Sequence, residues 1–245
     1  MENGTISYIQ SLREDLGIFR VTPDGGVPDF KAGQFLTLGL PLESKIVNRA
    51  YSIASSPDNK KFFEFVIRWV RRPLPGRLTS LLFNAKVGDK ISWAKPAGNL
   101  TINDTLPSGE KDTRRIVCIG GGTGLAPFVS FAQHLHDTND KREVVVLHGA
   151  SYVDELSYKQ LLTDLENDSI DKGKDKWNFK YRAAISRPEE WTNRAWNGHK
   201  GRIEQFLRSN DAGKSPLEEL VGEKITKDNT MFYVCGWQGT IDGTM

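Results

Sequence analysis

The chain has 245 residues, 38% of them hydrophobic and 26% charged, with a formal net charge of +2. That length accommodates one large domain or, more naturally, two of ordinary size, and the composition excludes disordered and collagen-like chains. So small a charge, with Lys and Arg scattered, argues against a nucleic-acid binder. No run approaches the roughly 20 apolar residues of a membrane span. The opening MENGTISYIQ lacks the basic and apolar regions of a secretory signal, so a cytoplasmic location is expected.

In chain order, short alternating or apolar runs at 5–9, 17–22, 34–40, 48–54, 62–70 and 90–94 predict strands. Turn chemistry separates them, Pro23-Asp24-Gly25-Gly26 and Ser56-Pro57-Asp58-Asn59 most clearly, as in an antiparallel barrel or sandwich. One helix is expected at 78–84, and the polar stretch 103–113 reads as a linker. Beyond it the pattern becomes strand, glycine turn and helix. Strands are expected at 115–119, 143–148, 179–185 and 231–234; helices follow the glycine turn and recur at 157–166, 202–209 and 217–222, implying a parallel sheet covered by helices. Cys118 and Cys235 each end a strand-like run. Two such thiols are too few for an iron–sulfur cluster, so any cluster belongs to a partner and no metal site is expected.

GGGTGLAPF at 120–128 lets backbone amides and a helix N-terminus approach a pyrophosphate. It departs from the usual dinucleotide fingerprint. Counting Gly122 and Gly124 as the first pair, Pro127 replaces the third glycine, and no acidic residue ends the strand at 143–148. A glycine-rich turn without a ligand is the alternative. Earlier, Arg49-Ala50-Tyr51-Ser52 places an arginine and an aromatic ring on one strand face, suited to a phosphate and a planar ring, though a solvated surface pair has the same spacing.

RAYSIASSP at 49–57 followed by GGGTGLAPF closely resembles the ferredoxin–NADP reductase family, particularly its bacterial ferredoxin/flavodoxin branch, over nearly the whole chain. The resemblance implies an antiparallel β-barrel FAD-binding domain at 1–108 and an α/β, parallel-sheet NADP-binding domain at 109–245. It implies that Arg49 pairs with the FAD pyrophosphate, that Ala50 lies in the flavin-binding strand, that Tyr51 packs on the isoalloxazine, and that Ser52 bonds near flavin N5. Phe65, Val66 and Ile67 would line the flavin with backbone groups. Gly76, Leu78 and Thr79 would form a second flavin segment, with Thr79 capping the short helix and binding phosphate; an ordinary N-cap explains Thr79 equally well.

On the nicotinamide side the resemblance implies that Thr123 and Gly124 hold the NADP pyrophosphate. Ser186-Arg187 and Gly201-Arg202 would take the 2′-phosphate, beside Ser151, where some bacterial members carry an arginine. Cys235-Gly236 would leave room for the nicotinamide. Tyr51, Ser52 and Cys235 are therefore the residues expected at the reacting rings. Family members continue beyond this point with a helix and a tail that covers the flavin, both expected to be missing from this chain, which stops at Met245.

The implied function is an FAD-dependent exchange of electrons between NADP(H) and an acidic one-electron carrier, ferredoxin or flavodoxin. Lys60, Lys61, Arg68, Arg71, Arg72 and Arg77 would supply positive charge for docking. No general acid or base is needed, so His134, His136, His148 and His199 receive no catalytic role. Alternatives are a stand-alone reductase of an oxygenase, a free-flavin reductase, or a non-catalytic nucleotide-binding subunit.

Overall fold

Leu36, Leu38 and Leu40 recur every second residue, so an extended backbone turns all three toward one side. There they join Ile6, Phe19, Phe63, Phe65, Ile67 and Trp93 in a buried core. Burying each large side chain contributes roughly 1.5–3 kcal/mol, which overrides the weak local preferences of such short runs. In this computed structural model, which describes every residue except Arg72, Ala212 and Met245, the chain forms two compact units. The first comprises Met1–Ile102 with Val129–His134, the second Asn103–Phe128 with Leu135–Met245.

The first unit holds strands β1 (Glu2–Arg13), β2 (Leu16–Pro23), β3 (Phe35–Leu42), β4 (Lys45–Ser52), β5 (Phe63–Arg68) and β6 (Lys90–Trp93), with helix α1 (Arg77–Asn84). They form one six-stranded sheet in the order β4-β3-β6-β1-β2-β5, and every pairing is antiparallel. Leu42 faces Lys45 across a two-residue turn in which Glu43 has a φ of 56°. The tight turn fixes the β3–β4 register. Because β4 and β5 end the sheet order, each carries a backbone edge that no neighbouring strand fills along its whole length.

The second unit holds β7 (Arg115–Gly121), α2 (Ala126–Asp137), β8 (Val144–Ala150), α3 (Lys159–Lys172), β9 (Phe179–Ile185), β10 (His199–Lys200), α4 (Pro216–Val221), β11 (Thr230–Cys235) and α5 (Gln238–Thr244). Its five strands are parallel in the order β10-β9-β8-β7-β11. The helix expected at 202–209 is instead a single 3-10 stretch, Ile203–Leu207: the amides of Gln205 and Arg208 reach back only three residues, to Arg202 and Gln205. A helix also follows Cys235-Gly236, where the sequence reading expected none. α4 begins with a capping box in which Ser215 and Glu218 satisfy each other's backbone amides.

The polar stretch after residue 102 is held in place rather than left loose. Arg142, 6% exposed, donates to the Asn103 carbonyl at 3.0 Å and engages Asp104 and Asp140, each at 2.8 Å. The Asn103 amide in turn donates to the Tyr233 hydroxyl at 2.8 Å.

Candidate functional site

In the first unit, β4 carries the arginine–tyrosine motif. Its cross-strand register pairs Arg49 with Leu38 and Tyr51 with Leu36, so both point to the core side of the sheet. Arg49 is nevertheless exposed, and among the described residues its side chain hydrogen-bonds only to the carbonyl of Asn48, through Nη1 at 2.7 Å. Tyr51 packs edge-on against Phe65, with ring centroids 6.5 Å apart. The chain turns inward after Ser52: the Ala54 amide donates to the Glu64 carbonyl at 2.8 Å, and the Ser55 hydroxyl accepts from the Glu64 amide at 3.1 Å. These bonds bring the arginine–tyrosine–serine strand beside Phe65, Val66 and Ile67.

A buried polar atom without a partner is expensive, and the Tyr51 hydroxyl is one, having no hydrogen-bond partner among the described residues. Burial pushes its phenol up to about 12, against the opposing pull of Arg49, so it stays protonated and able to donate. Ser52 is half-buried and pairs with Phe35, while Ala50 is exposed. An exposed arginine, a ring with an orphaned hydroxyl and two strand edges are the donor set that a dinucleotide carrying a flat ring system requires, so the residues fit FAD.

Gly76, Leu78 and Thr79 lie at the start of α1, but Thr79 is not its cap. The helix begins at Arg77 with Gly76 as N-cap, and no side chain caps it. Thr79, three residues in, donates its hydroxyl back to the Gly76 carbonyl at 3.1 Å. A Cβ on Gly76 would stand 2.5 Å from that hydroxyl, which accounts for the glycine. The expected basic cluster is also partly neutralised: Lys60 pairs with Asp29, Arg68 with Asp15 and Arg71 with Glu14. Lys61 and Arg77 are exposed; Arg72 lies outside the described residues.

In the second unit, successive strands from β7 step one way to β8, β9 and β10, whereas β11 lies on the other side of β7. A switch of this kind opens a crevice at the strands' C-terminal ends, where α/β proteins bind ligands. Both glycine motifs converge there. Gly122 takes a φ of 56°, a left-handed conformation that glycine adopts without strain. A Cβ on Gly124 would lie 2.5 Å from the Cys235 carbonyl oxygen and from the Gly236 Cα. Only a bare backbone allows this approach, and Thr123 and Gly124 lead directly into α2. Burial raises the Cys235 thiol above its usual range, keeping it uncharged.

The other expected nucleotide residues gather at the ends of β8, β9 and β10. The Ser186 amide donates to the Ala150 carbonyl at 2.9 Å, and the Gly201 amide to the Ile185 carbonyl at 2.8 Å. Ser151, Ser186, Arg187 and Arg202 therefore follow adjacent strand ends. Arg187 donates to the Tyr152 hydroxyl at 2.8 Å, and Arg202 pairs with Glu204 through its Nε. Asn193, which the sequence reading passed over, organises the group: buried, it donates to the Ser151 and Arg187 carbonyls and accepts from the Val153 amide. A lone asparagine in an irregular stretch offers no sequence signal for such a role.

The family model of the oxidoreductase FAD-binding domain matches residues 4–102, and that of the oxidoreductase NAD-binding domain matches residues 118–245. The chain is 28% identical over 233 residues to the flavodoxin/ferredoxin–NADP reductase of Shigella flexneri, covering 95% of this chain and 84% of that one. It is 38% identical over 136 residues to the ferredoxin–NADP reductase of Azotobacter vinelandii, covering 55% and 49%. Its fold matches a crystal structure of a ferredoxin NADP+ reductase from Neisseria gonorrhoeae with bound FAD and NADP, with a TM-score of 0.77 at 24% identity, over 99% of this chain and 87% of that one. With an antiparallel flavin-type unit followed by a parallel nucleotide-type unit, each matched by its own family model, the chain belongs to the FAD- and NAD-binding oxidoreductases of the ferredoxin–NADP reductase type.

Proposed function

We propose that this protein is an FAD-dependent oxidoreductase that exchanges electrons between NADP(H) and a one-electron carrier such as ferredoxin or flavodoxin. The observation that carries the proposal is the buried Tyr51 hydroxyl, without a hydrogen-bond partner among the described residues, on the same face of the end strand β4 as the exposed Arg49. Bound FAD supplies chemistry that side chains lack, taking up the electron pair of a hydride and releasing electrons singly. Arg49 binds its pyrophosphate through a guanidinium fork. Tyr51 packs on the ring system and donates its orphaned hydroxyl, and Ser52 donates near the ring's reactive nitrogen. Phe65, Val66 and Ile67 present backbone groups from the β5 edge. Gly76, Leu78 and Thr79 shape the neighbouring helix start, Thr79 by holding the Gly76 carbonyl.

For the nicotinamide nucleotide, Thr123 and Gly124 offer amides to the pyrophosphate, while Cys235 and Gly236 leave space for the ring. Arg187 and Arg202 recognise the 2′-phosphate that distinguishes NADP from NAD, with Ser151 and Ser186 as neutral donors. Glu204 offsets the charge of Arg202, so Arg187 provides the larger part of the net attraction. The free thiols Cys118 and Cys235 suit a reducing compartment, and the cytoplasm is the location we assign. Among the described residues no helix is long and apolar enough to cross a membrane.

The test is an absorbance spectrum of the purified protein followed by anaerobic titration with NADPH and, separately, NADH. Flavin bands that bleach far more readily with NADPH are expected. Bleaching by NADH alone would remove the 2′-phosphate assignment, and absence of flavin after FAD addition would overturn the proposal.

A further inference from the structure

The chain contains two Asn-Gly pairs, Asn3-Gly4 and Asn197-Gly198, and the fold treats them differently. Asn3-Gly4 lies inside β1 between two neighbouring strands. Gly4, buried, stands opposite Ile91 of β6 and Pro23 of β2, and the Asn3 carbonyl accepts from the Asp24 amide and the Trp93 indole, each at 3.0 Å. Asn197-Gly198 lies outside every helix and strand, immediately before β10, with both residues exposed. Among the described residues, neither the Asn197 side chain nor the Gly198 amide has a hydrogen-bond partner. Packing requires the glycine: a Cβ on Gly198 would lie 2.2 Å from Trp196 Cζ2, and the Trp196 indole is held by its bond to the His199 carbonyl at 2.9 Å. The residue after Asn197 therefore stays bare, with no side chain to hinder its nitrogen.

We propose that Asn197 is a site of spontaneous deamidation, with water as the only reagent. The Gly198 amide nitrogen, having given its proton to solvent base, attacks Asn197 Cγ. A C–N bond forms, the bond from Cγ to Nδ2 breaks, and ammonia leaves carrying a proton back from solvent. The resulting cyclic imide takes up one water and opens at either carbonyl, giving aspartate or, where the chain runs on through the former side chain, isoaspartate. No electrons change hands. Closing the ring needs a backbone free to bend, and a strand-bound pair gains that freedom only through local opening. Asn3 is accordingly protected, whereas Asn197 reacts from the folded state. The isoaspartate product also lengthens the backbone by one carbon just ahead of β10, which is held to the sheet only by the pairing of His199 and Lys200 with Ala184 and Ile185, so this edge strand is the element that loosens.

Incubation of the full chain with added FAD in mildly alkaline buffer, followed by tryptic mapping in a mass spectrometer that resolves isoaspartate from aspartate, tests this. The peptide 195–200 is expected to convert at least about ten-fold faster than the peptide 1–13, to a mixture containing isoaspartate, and the two rates should converge in urea. N197Q should leave 195–200 unmodified, because glutamine closes the larger ring poorly, and leave conversion of 1–13 as in the wild type. Equal conversion of both peptides in the folded protein, or a difference that persists in urea, would overturn the selection by structure. Conversion of 195–200 to aspartate alone would overturn the attack by Gly198. A peptide 195–200 that stays unmodified in the folded protein but converts in urea would overturn the proposal itself, since the loop would then be held in an unreactive geometry.

Discussion

Arg142→Met should open the second unit without touching either proposed cofactor site. The guanidinium donates to the carbonyls of Asn103 and Asp112 and pairs with Asp140 and Asp104. Asp104 is 72% exposed, so that pair is worth at most about 1 kcal/mol. Asp140 is only 18% exposed and would be left charged, with two carbonyls short of a donor. Removing one partner of a buried pair costs roughly 3–5 kcal/mol; with part of the site open to water, about 3 kcal/mol is expected. That corresponds to amide exchange about 100-fold faster in β7 and β8, read by hydrogen-exchange mass spectrometry at pH 7. The pH dependence adds a second check. Burial pushes the Asp140 carboxyl up, but the hydrogen bonds from Arg142 outweigh it and hold it below its usual range. In the wild type this contribution is present above the ordinary aspartate value and lost as pH falls through the lowered one. In the variant the backbone amide of residue 142 and Lys111 still favour the carboxylate, but without the guanidinium burial weighs more heavily against it; the carboxyl rises, acidification relieves part of the strain, and the difference between the proteins narrows toward pH 4. Exchange within about five-fold of wild type at pH 7, or a difference unchanged at pH 4, would refute the reasoning.

Three further outcomes are expected. The double substitution Arg49→Ala with Tyr51→Ala should lose FAD on gel filtration, and full flavin occupancy would count against the β4 assignment. Raising ionic strength should slow reduction of an acidic ferredoxin or flavodoxin but not of ferricyanide, through exposed charges such as Lys61 and Arg77; equal slowing of both would remove the electrostatic docking. His148 is fully buried, and burial pushes its imidazole down to about 3. The unfolded chain therefore binds the extra proton between about pH 6.5 and pH 3, and stability falls as pH drops through that window. His148→Leu should lessen this acid sensitivity in denaturation curves at pH 7 and pH 4.5, and parallel losses in both proteins would exclude His148 as its source.

The alternation of Leu36, Leu38 and Leu40, the apolar runs of β7 and β8, and the glycines between β7 and α2 are local patterns, so the two fold types and their family were legible in the sequence alone. The same holds for the arginine–tyrosine face of β4, since period-2 geometry needs no tertiary contact. What the tertiary structure decided are pairings between residues far apart in the chain. The two-residue β10 exists only because His199 and Lys200 meet Ala184 and Ile185. Thr79 carries an N-cap sequence signature, yet the helix starts two residues before it, at Arg77, and its hydroxyl turns to Gly76. The ion pairs that neutralise Lys60, Arg68 and Arg71 and the role of Asn193 likewise depend on where distant backbone arrives. Periodicity encodes which face of an element is buried; it carries no information about which side chain from another element will stand opposite, because that is settled by the packing of the whole unit.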